Sequence, residues 1–240
     1  MKLNDIQIIY ENDDLLVINK PAGLLTHSDD RSKEENLCDW ILEKYPQLEE
    51  VGESLILSDG REIKRPGIVH RLDKETSGVL IIAKNQDSFL HLKEQFKERE
   101  IKKVYNAFVW GRLKNEEGVI DRPIGRSKKD FRLWSAQRGA GGKIREAVTE
   151  YKVLKQNDEF SFLEVNLKTG RTHQIRVHMK AINYPVVGDR LYAPKRDYAL
   201  GFNRLALHAQ SIEFSLQNGK KIKIEIPFPD DFENALNIIK

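Results

Sequence analysis

The sequence is nearly without cysteine, has no long apolar run and shows almost no imbalance of charge, and each shortage removes a class of protein. A single cysteine in 240 residues, Cys38, excludes an internal disulfide and a cysteine-rich zinc site. Its spacing to Leu42 on a predicted helix makes it a core residue rather than a reactive thiol. No apolar stretch approaches the ~20 residues that span a bilayer, and no basic segment followed by an apolar one opens the chain. A cytoplasmic protein with no membrane partner is expected. Repeats, low-complexity tracts and a clean linker are all missing, so a single domain over 1–240 is expected. His173 and His178 stand five apart, not at the i, i+4 spacing of a helical zinc pair. No metal and no other cofactor is expected, and without an exposed apolar stripe the chain reads as a monomer.

Net charge is only +3, but its distribution is uneven. Between 122 and 145 stand Arg122, Arg126, Lys128, Lys129, Arg132, Arg138, Lys143 and Arg145 against one acid, Asp130. The rest of the chain is therefore net acidic. Phe131 and Trp134 interleave with these cations, and the Gly139 to Gly142 stretch reads as flexible. Cations that neutralise phosphates beside aromatics that stack on bases suit single-stranded or extruded nucleic acid; the plainer alternative is a solvated loop whose aromatics fold back on the core.

The stretch that organises the chain is Gly67 to Lys84. Ile68 and Val69 lead into a polar turn with His70, Arg71, Asp73, Lys74 and Glu75, and the chain leaves through apolar Val79 to Ala83. That reads as strand, charged turn, strand. Arg71 and Lys74 flank Asp73 with positive charge, which keeps a carboxylate ionised. An ionised carboxylate on a turn held by buried strands is a nucleophile or base. The alternative reading has Asp73 capping the turn and pairing with Arg71 on the surface, a contact of little consequence.

Elsewhere Ile6 to Ile18 reads as a hairpin closed at Asn12 to Asp14, delivering the turn Lys20-Pro21-Ala22-Gly23. His27 beyond it reads as structural. Ser32 with Glu35 resembles a capping box opening a helix that ends at Pro46. A short strand is predicted at Leu55 to Leu57, a helix over 87–99, and strands over 104–110, 148–154 and 160–167. Tyr105, on the first of these, reads by itself as sheet packing. Thr172 is positioned to cap a helix that sets Arg171, Gln174 and His178 on one polar face and turns Ile175 and Met179 inward. Pro185 to Tyr192 reads as loop, and 204–209 as a short buried segment. Ile222, Ile224 and Ile226 mark a last strand before Pro227-Phe228-Pro229. Helix and strand patterns mix without regular alternation, which argues α+β with a mainly antiparallel sheet and flanking helices.

His70-Arg-Leu-Asp73-Lys-Glu-Thr-Ser-Gly78 resembles the catalytic motif of the RluA family of RNA pseudouridine synthases. Lys20 to Gly23, Lys103-x-Tyr105, Gly170 to His178, Gly188-Asp189 and Leu207 to Ala209 resemble the family's other blocks, in order. About five residues precede the first strand, so the resemblance is to members without the N-terminal S4-like RNA-binding domain. The resemblance implies the pseudouridine synthase fold around a central RNA-binding cleft, a tRNA or rRNA substrate, and isomerisation of uridine after base flipping. It implies Asp73 as catalytic carboxylate, Tyr105 stacking on uracil and relaying its C5 proton, Arg171 as the cation paired with the aspartate, and Ile175 packing against the base. His70 and Arg71, the latter filling the flipped position, are implied as RNA contacts. The basic stretch at about 122–145, with Arg126, Lys128, Lys129, Arg132 and Arg138, is expected to help hold the RNA. A non-catalytic RNA-binding or RNA-folding factor needs the basic stretch without Asp73. A metal phosphoesterase built on His70 and Asp73 needs further ligand clusters, which the sequence lacks.

Overall fold

The computed structural model describes residues 6–28, 34–57, 59–130, 132–137 and 140–239. The chain divides into two compact units, Met1–Ile101 with Ser211–Ile226, and Lys102–Gln210 with Pro227–Lys240. The strand Leu207–Ser215 is divided between them. Every strand pairing whose register is defined is antiparallel, and helices are few. The expected mainly antiparallel α+β architecture is what forms. Among the described residues no helix is long and apolar enough to cross a membrane.

In the first unit Gln7–Glu11 and Leu15–Lys20 form the expected hairpin. Asn12 Oδ1 accepts from the amides of Asp14 and Leu15 at 3.0 and 2.7 Å, an Asx turn that fixes the reversal. Leu15–Lys20 pairs in turn with Ser77–Ala83, all seven of whose residues are buried. The helix Leu37–Lys44 starts one turn later than Ser32 and Glu35 suggested; Ser32 lies outside the described residues. Its capping box is Asn36 with Asp39: Asn36 Oδ1 accepts from the Cys38 amide and Asp39 Oδ2 from the Asn36 amide. Cys38 is buried, and burial pushes its thiol up to about 12, consistent with a packing role. Helix Gln86–Lys97 buries Phe89 and Leu92. Its Gln95 exchanges two hydrogen bonds with the backbone of Ser215, at 2.8 and 2.9 Å, and His91 Nε2 lies 2.9 Å from the same carbonyl. Ser211–Ser215 pairs with Lys221–Glu225.

The first half of the central stretch is not a strand. Ile68 makes one isolated bridge, to Ile82. Gly67 sits at φ +63, in the left-handed region, and a Cβ there would stand 2.2 Å from the Ala83 carbonyl oxygen. The chain turns at Gly67 because only glycine fits this approach, so Ile68 and Val69 cannot extend a ladder.

The second unit is built on the order Lys102–Trp110, Phe160–Leu167, Val148–Gln156, Glu117–Asp121. Phe108 and Phe162 pack against Phe232 of the helix Asp230–Ile238. Sequence pattern stops short of this helix, although Asp230, Asp231 and Glu233 in its first turn suit a helix N-terminus. The stretch expected to be flexible is ordered in part. Gly141–Arg145 is a strand, and with Ile124–Arg126 and Trp134–Ser135 it makes a separate three-stranded sheet. Gly139 lies outside the described residues.

Candidate active site

Asp73 opens a β-turn, its carbonyl accepting from the Thr76 amide at 3.1 Å, a position that suits aspartate. The turn is fastened from a distance by Lys20. That side chain is fully buried, and its ammonium donates to the carbonyls of Pro21 at 2.8 Å, Leu24 at 2.7 Å and Lys74 at 3.2 Å. Three donors meet three acceptors, which is what a buried ammonium needs. The Gly23 amide donates to the same Lys74 carbonyl at 2.8 Å. Thr26 clamps the other side, its hydroxyl donating to the Leu72 carbonyl at 3.0 Å.

The flanking cations do not serve Asp73 as the sequence suggested. Arg71 Nη1 lies 2.8 Å from Nε2 of His27, whose Nδ1 donates to the Ser28 carbonyl. Lys74 Nζ meets Glu34 at 2.5 Å. Both cations, though within two residues of Asp73 in the sequence, are engaged by other side chains, so nearness in sequence is not nearness in space. Arg71 is thus not the aspartate's surface partner either, and His27, expected to be structural, is buried. His70 stacks on Phe96 with centroids 4.9 Å apart, and its Nε2 accepts the Ile81 amide at 2.9 Å. These contacts hold the root of the turn.

The second unit carries the other candidates. Tyr105 is 8% exposed and pairs in register with Val165. Lys103 shares its strand face. The Lys103 ammonium comes within 3.6 Å of where a side chain on Gly170 would begin, and burial pushes its pKa down.

Arg171 precedes the helix Gln174–Ala181 instead of lying on it. Its amide donates to Gln174 Oε1 and its Nε to the Glu146 carbonyl, each at 2.9 Å. Of the three residues expected on one polar face, Gln174 and His178 are buried. Gln174 Oε1 also accepts from Thr169 Oγ1 at 2.7 Å, and Nε2 donates to the Val148 carbonyl and to Thr149 Oγ1 at 3.0 and 2.9 Å. One amide side chain therefore pins the Arg171 turn to the neighbouring strand. His178 lies between Thr149 Oγ1 at 2.8 Å and the Arg122 carbonyl at 2.9 Å, and burial lowers its pKa. Thr172 is not the cap: the helix starts from His173, in the left-handed region at φ 56, with no side-chain cap. Ile175 and Met179 are buried, as expected.

On the three-stranded sheet Arg126 lies 4.1 Å over the ring of Trp134. Lys128, Lys129, Lys143 and Arg145 are exposed. Arg132 is not a surplus cation: Asp130 holds its guanidinium through bonds of 2.7 to 3.2 Å, and the pairing draws the aspartate down to about 2. Arg122 is likewise committed, donating to the Ala181 carbonyl at the end of the helix at 2.9 Å. Arg138 and Phe131 lie outside the described residues.

Asp73, Tyr105 and Arg171, with their surroundings, all fall within the stretch 14–181 that matches the family model for RNA pseudouridylate synthase. The chain belongs to that family. As an RNA pseudouridine synthase it is an isomerase acting on uridine in RNA. It is 36% identical over 237 residues to the Bacillus subtilis protein named as an uncharacterized RNA pseudouridine synthase, YlyB, covering 98% of this chain and 73% of that one. It is 39% identical over 227 residues to ribosomal large subunit pseudouridine synthase D of Borreliella burgdorferi, covering 95% of this chain and 66% of the relative. The human structure titled RNA pseudouridylate synthase domain containing 1 superposes with a TM-score of 0.75 at 26% identity, covering 95% of this chain and 86% of that one.

Sequence reasoning found the aspartate turn and missed what holds it. Lys20 was read as part of a turn, yet it is the buried fastener. Tyr192 drew no attention, although Gly188-Asp189 pointed to its neighbourhood.

Proposed function

We propose that the pseudouridine synthase family's reaction is carried out here by Asp73, with Tyr105 and Arg171 as its partners, on structured RNA. The observation that carries the reading is the Asp73 turn, fastened at Lys74 and Leu72 by Lys20 and Thr26 from another part of the chain. A carboxylate on so constrained a turn suits a step that depends on position. In the reaction the bond between C1′ and uracil N1 breaks, the uracil turns, and C5 joins C1′ as its proton leaves and N1 takes one up. Nothing is gained or lost overall, so no redox group or energy source is required. Asp73 starts the reaction from the ribose or base side. Tyr105 stacks on the uracil and relays the C5 proton, and Arg171 pairs with the aspartate. Ile175 packs against the base. Arg71 fills the position of the flipped uridine, and His70, through Phe96 and Ile81, steadies the turn. The chain acts as a single catalytic domain, as a monomer in the cytoplasm.

A uridine within a stack cannot reach a carboxylate, and flipping costs a few kcal/mol. Loops of ribosomal or transfer RNA are the cheapest targets, and the relative named for the ribosomal large subunit makes that RNA the first to try. The test is to incubate the protein with unmodified ribosomal and transfer RNA transcripts and map carbodiimide-dependent stops of reverse transcription. New stops at defined uridines are expected; RNA bound without any new stop would leave an RNA-binding factor instead.

The exposed cations of the three-stranded sheet supply the phosphate contacts in this reading. Lys128→Gln, Lys129→Gln and Lys143→Gln together are expected to weaken RNA binding about 50-fold at 0.15 M salt and to flatten the log–log salt slope by about 2, from ~0.7 per phosphate contact. Fluorescence anisotropy over a salt series checks this, and an unchanged slope would take the sheet out of the RNA site. Arg132→Gln is expected to do less, since Asp130 already engages that charge.

A further inference from the structure

One oxygen joins the basic sheet to the Arg171 turn. The backbone amide of Trp134, whose ring carries Arg126, donates to the hydroxyl of Tyr192 at 3.1 Å. The same hydroxyl lies 2.9 Å from Nδ1 of His173, with the rings edge to face at 5.6 Å. The phenol thus takes the Trp134 amide and the His173 ring on one oxygen. Tyr192 is itself immobilised. It is 7% exposed, clusters with Ile124, Ala147 and Val177, and has its amide bonded to buried Asp189 at 3.0 Å.

His173 is the residue on which such a link has leverage. It stands two positions after Arg171 and opens the helix at φ 56, where a side chain with a Cβ is strained and persists only when its surroundings over-determine it. Tyr192 supplies that determination through the ring. If the ring is released, the backbone at 173 relaxes toward commoner conformations and Arg171 moves with it.

We propose that the Tyr192 hydroxyl is a positioning group that, through His173, couples the seating of an RNA backbone on the three-stranded sheet to the orientation of the Arg171 turn. The coupling rests on the reading that this sheet holds RNA and that Arg171 serves the reaction. It makes Tyr192 and His173 the part of the second unit that passes on whether substrate is in place.

Tyr192→Phe removes one oxygen and leaves the ring in its cluster. In single-turnover assays on a modified transcript it is expected to lower the rate at saturating RNA about tenfold while leaving the RNA Kd within about twofold. His173→Gly, which adopts the left-handed conformation without steric cost, is expected to lose rate to the same degree. The double variant should lose no more than either alone, because both cut one link. Hydrogen exchange provides a readout independent of turnover. A bound ribosomal RNA transcript is expected to slow exchange at the Arg171 and Gln174 amides in the parent and not in Tyr192→Phe.

Parental rates with only a lowered melting temperature would reduce Tyr192 to packing and overturn the proposal. A lost affinity with the saturated rate intact would overturn it too, making Tyr192 an RNA contact. Parental activity in His173→Gly would show that the ring transmits nothing. If the parent forms no pseudouridine on any RNA, the catalytic reading fails by itself, and the exchange experiment still decides the coupling.

Discussion

Asp73→Asn is expected to form no detectable pseudouridine, a fall of at least about 1,000-fold or roughly 4 kcal/mol in transition-state stabilisation, while folding and binding RNA like the parent. The substitution keeps shape and removes charge. The backbone hydrogen bond from Thr76 to the Asp73 carbonyl does not involve the side chain, and asparagine is as well suited as aspartate to the first position of such a turn. Lys20 fastens carbonyls of Pro21, Leu24 and Lys74, all of which remain. The melting temperature and RNA Kd should therefore stay near parental values, with only chemistry lost. Single-turnover assays alongside anisotropy separate the two, and residual activity within tenfold of the parent would remove Asp73 from the reaction. Loss of activity and affinity together would show that the aspartate shapes the RNA site instead.

Asp189→Asn is the substitution expected to cost most in stability. Asp189 is wholly buried and takes Arg176 in a two-pronged ion pair, Nε to Oδ2 and Nη2 to Oδ1 at 2.8 Å each, with the guanidinium side chain 10% exposed. Oδ1 also accepts the amides of Leu191 and Tyr192, at 3.1 and 3.0 Å. Neutralising one partner leaves the other charge buried without its counter-ion, a loss of about 3–5 kcal/mol, or about 6–20 °C in melting temperature for a chain of this size. A change below about 1 kcal/mol in a urea titration would show that water reaches the pair. Replacing both residues by apolar ones should recover part of the loss. It should not recover all of it, because the two amides would still need an acceptor.

Local chemistry was legible in the sequence. Asn12 announced its turn, the alternation of Ile6, Ile8 and Tyr10 its strand, and the run from Val104 to Trp110 the strand that carries Tyr105. Contacts made over long separations were not. Gln174 and His178 read as a solvated face because Thr149, Thr169 and Val148, which satisfy them, stand far off in the sequence or on another element. Lys20 reads only as part of a turn for the same reason, since the Lys74 carbonyl it reaches lies 54 residues away. Arg71 and Lys74 misled in the opposite direction: they stand within two residues of Asp73 in the chain, yet they bond to His27 and Glu34. A count of charges sets Asp130 against the whole stretch, whereas in space it pairs with Arg132. Composition located the basic stretch but not its strands, since Gly141 and Gly142 weigh against a ladder that Arg126 and Ile124 complete.

The bonds from Gln95 and His91 to Ser215 tie the helix under His70 to a strand made long afterwards. Residues 102–210 of the other unit intervene, and at ~5–20 residues per second their synthesis takes roughly 5–20 s. Throughout that interval the nascent chain already contains the Asp73 turn, Lys20 and Phe96, but Gln95 and His91 have only water as partners and one edge of the unit is uncovered. The aspartate-bearing unit therefore matures late although it is translated first. Its folding yield depends on how well those early strands resist pairing with other chains while the rest is being made.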